Sequence, residues 1–200
     1  SEDRIEGYRN FANKLWNAAR FILEHVYEED GGVRREKPRL TVPLARRAET
    51  DRWIMSRLAD CISKVNHSLD AYRFDEAAHH LYHFTWHEYC DWYLELSKPV
   101  LRMDAGEDAT GEQTAIVRGT LVETFEILLR LLHPFMPFMT EELWQKLPHQ
   151  GSSVMLAPYP APASDWRNEA IEDSIHTVIG AVSEIRAIRA KYGISPSREL

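Results

Sequence analysis

The sequence contains no run of about 18 uncharged apolar residues, the length that a membrane-spanning helix requires. It has two cysteines, Cys61 and Cys90, which lie far apart, each within an apolar helical pattern. Such a pair is typical of buried thiols in a reducing compartment rather than of a disulfide or a metal site. We therefore expect a cytoplasmic protein with no membrane segment.

The sequence also lacks the common signatures of catalysis. It has no Gly-rich phosphate loop, no Gly-x-Ser-x-Gly turn and no Cys–His pairing. Its paired carboxylates lie at the ends of predicted helices, where they interact with the helix dipole. The chain begins at Ser1 rather than at a methionine, so we expect a piece of a longer protein.

Basic residues are in the minority, with 24 Lys and Arg against 31 Asp and Glu and a net charge of −7. This balance argues against a general nucleic-acid binder, which needs clustered cations. One stretch, Val33–Arg52, is nevertheless locally positive. Its basic residues are Arg34, Arg35, Lys37, Arg39, Arg46, Arg47 and Arg52. A solvated loop and a phosphate-binding surface are both compatible with this composition.

With 44% apolar residues the chain can bury a core, and its apolar positions recur at helical spacing, with no convincing strand. We predict an all-α bundle of four main helices plus a short helix and a C-terminal docking helix. The first predicted helix is about Asp3–Glu28, the second is capped by Thr50, and the third runs from Asp75 to Lys98, where Pro99 stops it. The fourth is about Thr114–His133, and a short helix, Glu141–Leu147, is capped by Thr140. The last helix is opened by Asp165 and ended by Gly193. The predicted divisions are a bundle at 1–148, a Pro-rich crossover at 149–164 and the C-terminal helix at 165–200.

The first helix carries two stripes. Its apolar stripe comprises Ile5, Tyr8, Ala12, Leu15, Ala19, Ile22 and Val26. A second stripe, with the residues that continue it, comprises Arg9, Asn10, Asn13, Lys14, Trp16, Asn17 and Arg20. Arginine, asparagine and tryptophan can hydrogen-bond and stack on unstacked bases, as in the reading of single-stranded RNA loops. The alternative is a solvated helix face with one packed tryptophan, although asparagine is unfavourable inside helices.

The third predicted helix is rich in aromatic side chains, so we expect neighbours to pack against it on more than one side. Its His79, His83 and His87 share a face, and histidines four positions apart can bind zinc. No acidic catalytic neighbour accompanies them as in a His-Glu-x-x-His arrangement. We therefore interpret them as packed or surface residues and predict no metal site.

Several segments identify a resemblance to a known family. Arg9–Phe21 (RNFANKLWNAARF) resembles the opening helix of the anticodon-binding domain of valyl-tRNA synthetases, and His133–Trp144 (HPFMPFMTEELW) is similar to a run shared by the valyl, isoleucyl and leucyl enzymes. Three further stretches are similar to the same family: Phe84–Glu95, Ser153–Pro160, and Ile185–Ala190 with Ile194–Ser197. The resemblance spans nearly the whole chain.

The resemblance implies a module that recognises the anticodon of valine tRNA, whose middle A and third C the family reads. It implies base contacts from Arg9, Asn10, Asn13, Lys14 and Asn17, with Trp16 either stacking on a base or anchoring the core. Arg34, Arg35, Lys37 and Arg39 would contact the RNA backbone. The implied partners are valine tRNA and the rest of the parent synthetase, and we expect a monomer.

The family's two catalytic signatures, of His-Ile-Gly-His and Lys-Met-Ser-Lys-Ser type, are absent from this sequence. The parent enzyme uses ATP and magnesium, but the resemblance implies neither for this chain, which is expected to be inactive alone. Two alternatives stay open: the equivalent domain of an isoleucyl or leucyl enzyme, and a helical protein-interaction module that uses the aromatic third helix.

Overall fold

A computed structural model describes residues 2–30, 33–103 and 110–195 and confirms the all-α class. Four long helical rods pack side by side, with α5 at the centre. The elements are α1 (Glu2–Val26), β1 (Tyr27–Asp30), β2 (Val33–Glu36), α2 (Glu49–Asp70), α3 (Phe74–His83), a π-helical segment (Phe84–Tyr93), α4 (Leu94–Leu101), α5 (Glu112–Leu132), α6 (Pro137–Trp144) and α7 (Glu169–Lys191). In the described ranges no helix is long and apolar enough to cross a membrane.

The core forms around α5, which is buried on most of its sides because it is apolar except for a stripe that includes Glu123, Glu126 and Arg130. Phe125 and Leu128 of α5 are fully enclosed, and Leu15 of α1 and Leu58 of α2 belong to the same apolar cluster. Trp144 of α6 is also buried, and its indole N–H donates to Glu126 at 2.8 Å. These contacts fix α1 and α2 on the central helix.

The sequence predicted no strand, and this was wrong for a short hairpin after α1. β1 and β2 pair antiparallel, with Glu28 opposite Arg35 and Glu29 opposite Arg34. These strands show no alternation of apolar and polar residues by which to predict them. The expected helix stop at Gly31–Gly32 lies outside the described residues, and α1 already ends at Val26.

The third predicted helix is one continuous rod made of α3, the π segment and α4. Asp75 does not cap it, since α3 begins at Phe74. Pro99 does not stop it either: the helix continues to Leu101, because Val100 and Leu101 pack against the core. Phe84, Tyr89 and Tyr93 are buried, which confirms the prediction that its aromatic side chains are packed on more than one side.

Three other helix starts differ from the prediction. Thr50 is not an N-cap, because α2 begins one residue earlier, at Glu49. Asp51, which follows Thr50, is buried in the core. Thr140 lies inside α6, which begins at Pro137, a residue suited to the first helical position because that position needs no N–H. The last helix is capped by Asn168 rather than Asp165, since the Asn168 side chain accepts from the Ile171 N–H at 3.1 Å.

The end of α7 agrees with the sequence. Gly193 has φ +63°, and the next N–H, of Ile194, donates to the Arg189 carbonyl at 2.9 Å, as in a Schellman termination. The predicted apolar stripe of this helix is only half buried, however. Ile171 and Ile175 pack into the bundle, whereas Val178, Ile185 and Ile188 are about half exposed. The first half of α7 therefore lies on α2 and the second half extends from it.

Replacing Asp51 by asparagine tests the electrostatics of this core. The Tyr93 hydroxyl donates to one Asp51 carboxylate oxygen at 2.7 Å, and burial raises the pKa of Asp51 despite this bond and the nearby Arg47. When folding raises the pKa of a carboxyl, the free energy of unfolding of the protein falls as the pH rises above the pKa of that carboxyl in the unfolded chain, about 4. We expect Asp51→Asn to gain stability relative to the parent chain between pH 4 and pH 7. Urea unfolding at both pH values measures this, and a pH-independent difference would contradict it.

Candidate nucleic-acid interface

The exposed face of α1 carries most of the residues predicted to contact bases. Arg9, Asn10, Asn13 and Asn17 are exposed, and Trp16 is 39% exposed. Their exposure follows from the helical period, because Phe11, Leu15, Ala18, Ile22 and Val26 take the opposite side into the core. Across the described parts of the chain, the three asparagine amides form no hydrogen bond. They are therefore free to bind a ligand.

The predicted apolar stripe of α1 needs correction near its start. Tyr8 was expected in the core but is 73% exposed, whereas Phe11 is buried and was not predicted. The Ile5 side chain lies outside the described part of the chain. Phe11 stacks on Tyr82 of α3 at 5.2 Å between ring centroids, whereas Tyr8, one turn earlier on the same face, lines an apolar cavity.

Lys14 differs from the other predicted base contacts because it is only 28% exposed. Its ammonium is hydrogen-bonded to Asp91 of the π segment and lies 4.7 Å from the centroid of the Trp86 ring. Sequence reasoning assigned neither Asp91 nor Trp86 to the site. Their contact with Lys14 spans more than 70 positions in the chain, and no local pattern signals it.

Two cations on α1 have only weak intrahelical partners. Arg9 is 3.3 Å from Glu6, and Arg20 is 3.9 Å from Glu24, with all four side chains largely exposed. Exposed ion pairs of this kind contribute about 0–1 kcal/mol. An anionic ligand can therefore displace either glutamate at little cost.

The predicted backbone-contacting residues lie at the other end of α1. Arg34 belongs to β2 and only its backbone is described, while Arg35 of the same strand is exposed. The Lys37 N–H donates to the Val26 carbonyl at 2.7 Å, which ties the start of the segment to the end of α1. Arg39 pairs with Glu36, so part of its charge is already balanced.

The two predicted groups do not converge on one pocket. From position 9 to position 26 the α1 axis rises about 25 Å, so the base-contacting stripe and the basic segment occupy successive parts of one elongated surface. Arg47, which added to the positive stretch in the sequence, is buried against Glu123 at 2.7 Å and has a structural role.

On the histidine-rich face of the third rod, two histidines contact carboxylates. His83 Nδ1 lies 3.3 Å from a Glu88 carboxylate oxygen, and His87 Nδ1 lies 3.5 Å from one of Asp91. In the described ranges no set of three or more His, Cys, Asp or Glu residues is arranged to hold a metal ion. Cys61 and Cys90 are free and buried as predicted, and burial raises the pKa of the Cys90 thiol to about 12.

An apolar cavity of about 470 Å³ opens beside the start of α1, and sequence reasoning did not predict it. Phe11 and Tyr82 form one wall, and Phe135 and Met136 of the connection between α5 and α6 form another. The last two belong to the His133–Trp144 segment that carried the family resemblance. The segment therefore shapes the end of the bundle from which α1 presents its exposed face.

Comparison with known proteins agrees with this geometry. A family model described as the anticodon-binding domain of tRNA ligase matches residues 51–200. The chain is 44% identical over 203 residues to a valine–tRNA ligase of Legionella pneumophila (strain Paris), covering 98% of this chain and 20% of that protein. It is 41% identical over 199 residues to a valine–tRNA ligase of Carboxydothermus hydrogenoformans, covering 98% of this chain and 21% of that protein.

The chain thus spans about a fifth of the length of these relatives. The matched family region begins at the start of α2 and excludes α1, so the resemblance of α1 rests on the similarity to the two ligases. The alternative of a protein-interaction module depended on the aromatic third rod, of which Phe84, Tyr89 and Tyr93 are buried in the core. The helical architecture, the family match and the similarity to these ligases over 98% of the chain show that the chain belongs to the anticodon-binding domains of tRNA ligases.

Proposed function

We propose that this chain is the part of a valine–tRNA ligase that receives the anticodon loop of valine tRNA and holds it for aminoacylation. The observation that carries the proposal is the row of exposed asparagines on α1 next to the half-exposed Trp16. The joining of valine to tRNA, with its ATP and magnesium, is assigned to the regions of such a ligase that this chain does not contain. The chain is proposed to act as a monomer.

The asparagine row matches the dimensions of a short single strand. Asn10, Asn13 and Asn17 span about 10 Å along the helix axis, which is about three steps between stacked nucleotides at a spacing of about 3.4 Å. An asparagine amide offers both a donor and an acceptor, as base edges require. Each well-formed bidentate contact discriminates against a wrong base by about 1–3 kcal/mol.

Trp16 supplies an aromatic surface beside these amides. A base stacked on such a ring contributes about 1–3 kcal/mol largely regardless of its identity. The 39% exposure of Trp16 fits the stacking role better than the role of a core anchor. In this arrangement Trp16 contributes to affinity, and the amides provide the selectivity.

The cations provide affinity without choice of sequence. Arg9 lies at the start of the exposed face, and Arg35, Lys37 and Arg39 follow the end of α1. With Arg9 on α1 and the other three beyond its end, these cations suit the phosphates of a stem-loop that lies lengthwise on α1. The net charge of −7 belongs to the chain as a whole, whereas the stretch Val33–Arg52, which contains three of these cations, is locally positive.

The test measures the binding of two RNA stem-loops over a series of salt concentrations. One carries the valine anticodon; in the other, the exchanged stem-loop, the middle and third bases of the anticodon are replaced by other bases. We expect the parent chain to prefer the valine stem-loop. The double variant Arg9→Ala, Asn13→Ala should lose about ten- to a hundredfold in affinity for it, from one base contact and one phosphate contact. The slope of log affinity against log salt concentration should decrease in magnitude by about one.

Arg73→Ala is the matched control, because Arg73 forms the same exposed pair, with Glu76 three residues on, at the start of α3. It should leave the preference unchanged. Equal binding of the two stem-loops by the parent chain, together with no effect of the double variant, would refute the proposal. A preference for an isoleucine or leucine anticodon would assign the chain to one of those ligases instead.

A further inference from the structure

The π segment brings together two side chains that an α-helix would separate. In an α-helix, positions five apart differ by about 140° around the axis, whereas i→i+5 hydrogen bonding places residue i+5 nearly above residue i. Trp86 and Asp91 are five positions apart within Phe84–Tyr93. The π-helical geometry therefore places both on the side that faces α1, and they meet at Lys14.

Lys14 is held on two sides by this pair. Its ammonium bonds to Asp91 and lies 4.7 Å from the centroid of the Trp86 ring. The other ring contact of Trp86 is with Tyr82, stacked at 5.6 Å between centroids, and Tyr82 in turn stacks on Phe11. A lysine side chain normally loses rotamer entropy when it is ordered on binding, which weakens the binding. Here the protein orders it before any ligand arrives.

Lys14 also belongs to the asparagine row. Asn10 precedes it by four positions and Asn17 follows it by three, so the three side chains are neighbours on the surface of α1. An ammonium carries three N–H donors. With one directed at Asp91, donors remain for an acceptor presented between the two amides.

We propose that Asp91 is a positioning residue for anticodon reading, which fixes the Lys14 ammonium in line with Asn10 and Asn17 so that it donates to one defined base acceptor. The inference rests on the proposed function. Asp91 itself, 35% exposed, carries a negative charge that opposes the approach of phosphates. It therefore lowers general affinity for RNA while it sharpens the choice between sequences, and these two effects can be measured separately.

The test is Asp91→Asn in the 200-residue chain, with the same two stem-loops. The preference for the valine stem-loop should fall about fivefold to tenfold, as expected when a charge-assisted contact loses its fixed geometry. Affinity for the exchanged stem-loop should instead rise about twofold, because one repelling charge is removed. Asp91→Glu, which keeps the carboxylate, should recover most of the preference.

Glu142→Gln is the matched control: it also removes one carboxylate from an ion pair, with Lys146 of the α6 region at 2.7 Å, without touching Lys14. It should leave the preference unchanged. An unchanged preference in Asp91→Asn, or an equal loss of affinity for both stem-loops, would overturn the positioning role. If the parent chain itself does not discriminate, the proposed function fails first, and the two failures are thereby distinguished.

Discussion

Gly119→Ala is expected to lower the free energy of unfolding by about 2–4 kcal/mol, a large effect for one added methyl group. A Cβ at this position of α5 would lie 2.1 Å from the Leu40 carbonyl oxygen and 2.9 Å from its carbon. Both are backbone atoms and cannot rotate away. The extended segment before α2 must therefore leave α5, and the Leu40 N–H would lose its bond to the Ala115 carbonyl. Chemical denaturation of the variant and the parent chain measures the difference.

Gly180→Ala is the matched control, since it adds the same methyl group inside α7, where nothing lies within 4 Å of the new atom. Alanine is favoured over glycine in a helix interior by about 1 kcal/mol, so this variant should be slightly more stable than the parent chain. If the free energy of unfolding falls in Gly119→Ala and rises in Gly180→Ala, the loss of stability comes from the contact with Leu40. Equal effects would contradict this explanation.

The same contact has a consequence for the proposed RNA surface. Leu40 follows Lys37 and Arg39 directly, and the Arg118 side chain of α5 donates to the Pro38 carbonyl at 3.4 Å. Detachment of this segment from α5 would release the basic residues from the end of α1. Gly119→Ala should therefore lower the affinity for both stem-loops by the same factor and leave the ratio of the two affinities unchanged, as expected of phosphate contacts.

The exposed row on α1 could be predicted because one helix fixes it. Asn10, Asn13 and Asn17 follow from a period of 3.6 residues and an apolar opposite face, both local properties. The exception near the start of the helix shows the limit of this reasoning. Tyr8 and Phe11 fit the apolar period equally well, but Phe11 is buried against Tyr82 of another helix, a contact that no local pattern predicts.

The π segment and the hairpin could not be predicted for different reasons. The π register depends on how Phe84, Tyr89 and Tyr93 fit the surrounding helices, and nothing in the local spacing separates it from an α-helix. The hairpin consists of two four-residue strands whose sequence lacks the alternation of apolar and polar residues by which a strand is predicted. Asp91 was missed because its importance comes from Lys14, a residue distant in the chain.

Arg57→Met is expected to lower the free energy of unfolding by about 3 kcal/mol. The Arg57 guanidinium joins three helical elements: it bonds to both carboxylate oxygens of Glu88 at 2.8 and 3.0 Å, and to Glu172 of α7 at 2.9 Å. The hydrogen bonds with Glu88 raise the pKa of Arg57, so it stays charged. Its removal takes this cation from both carboxylates and leaves Glu172 the more distant Arg167 as its cation, at 3.7 Å. The expected cost is at the low end for a buried pair, because 25% of the Arg57 side chain is exposed.

The loss should be concentrated in α7, because Glu172 is the contact that crosses to that helix, near its buried Ile171 and Ile175. Amide exchange in the first half of α7 should accelerate more than in α5. Arg46→Met is the control, since Arg46 pairs with Glu112 at the surface, where such a pair contributes about 0–1 kcal/mol. The triple variant Arg57→Met, Glu88→Gln, Glu172→Gln should recover much of the stability, because unpaired charge rather than lost packing is the main cost. If Arg57→Met costs no more than Arg46→Met, the ion network does not hold α7 on the bundle.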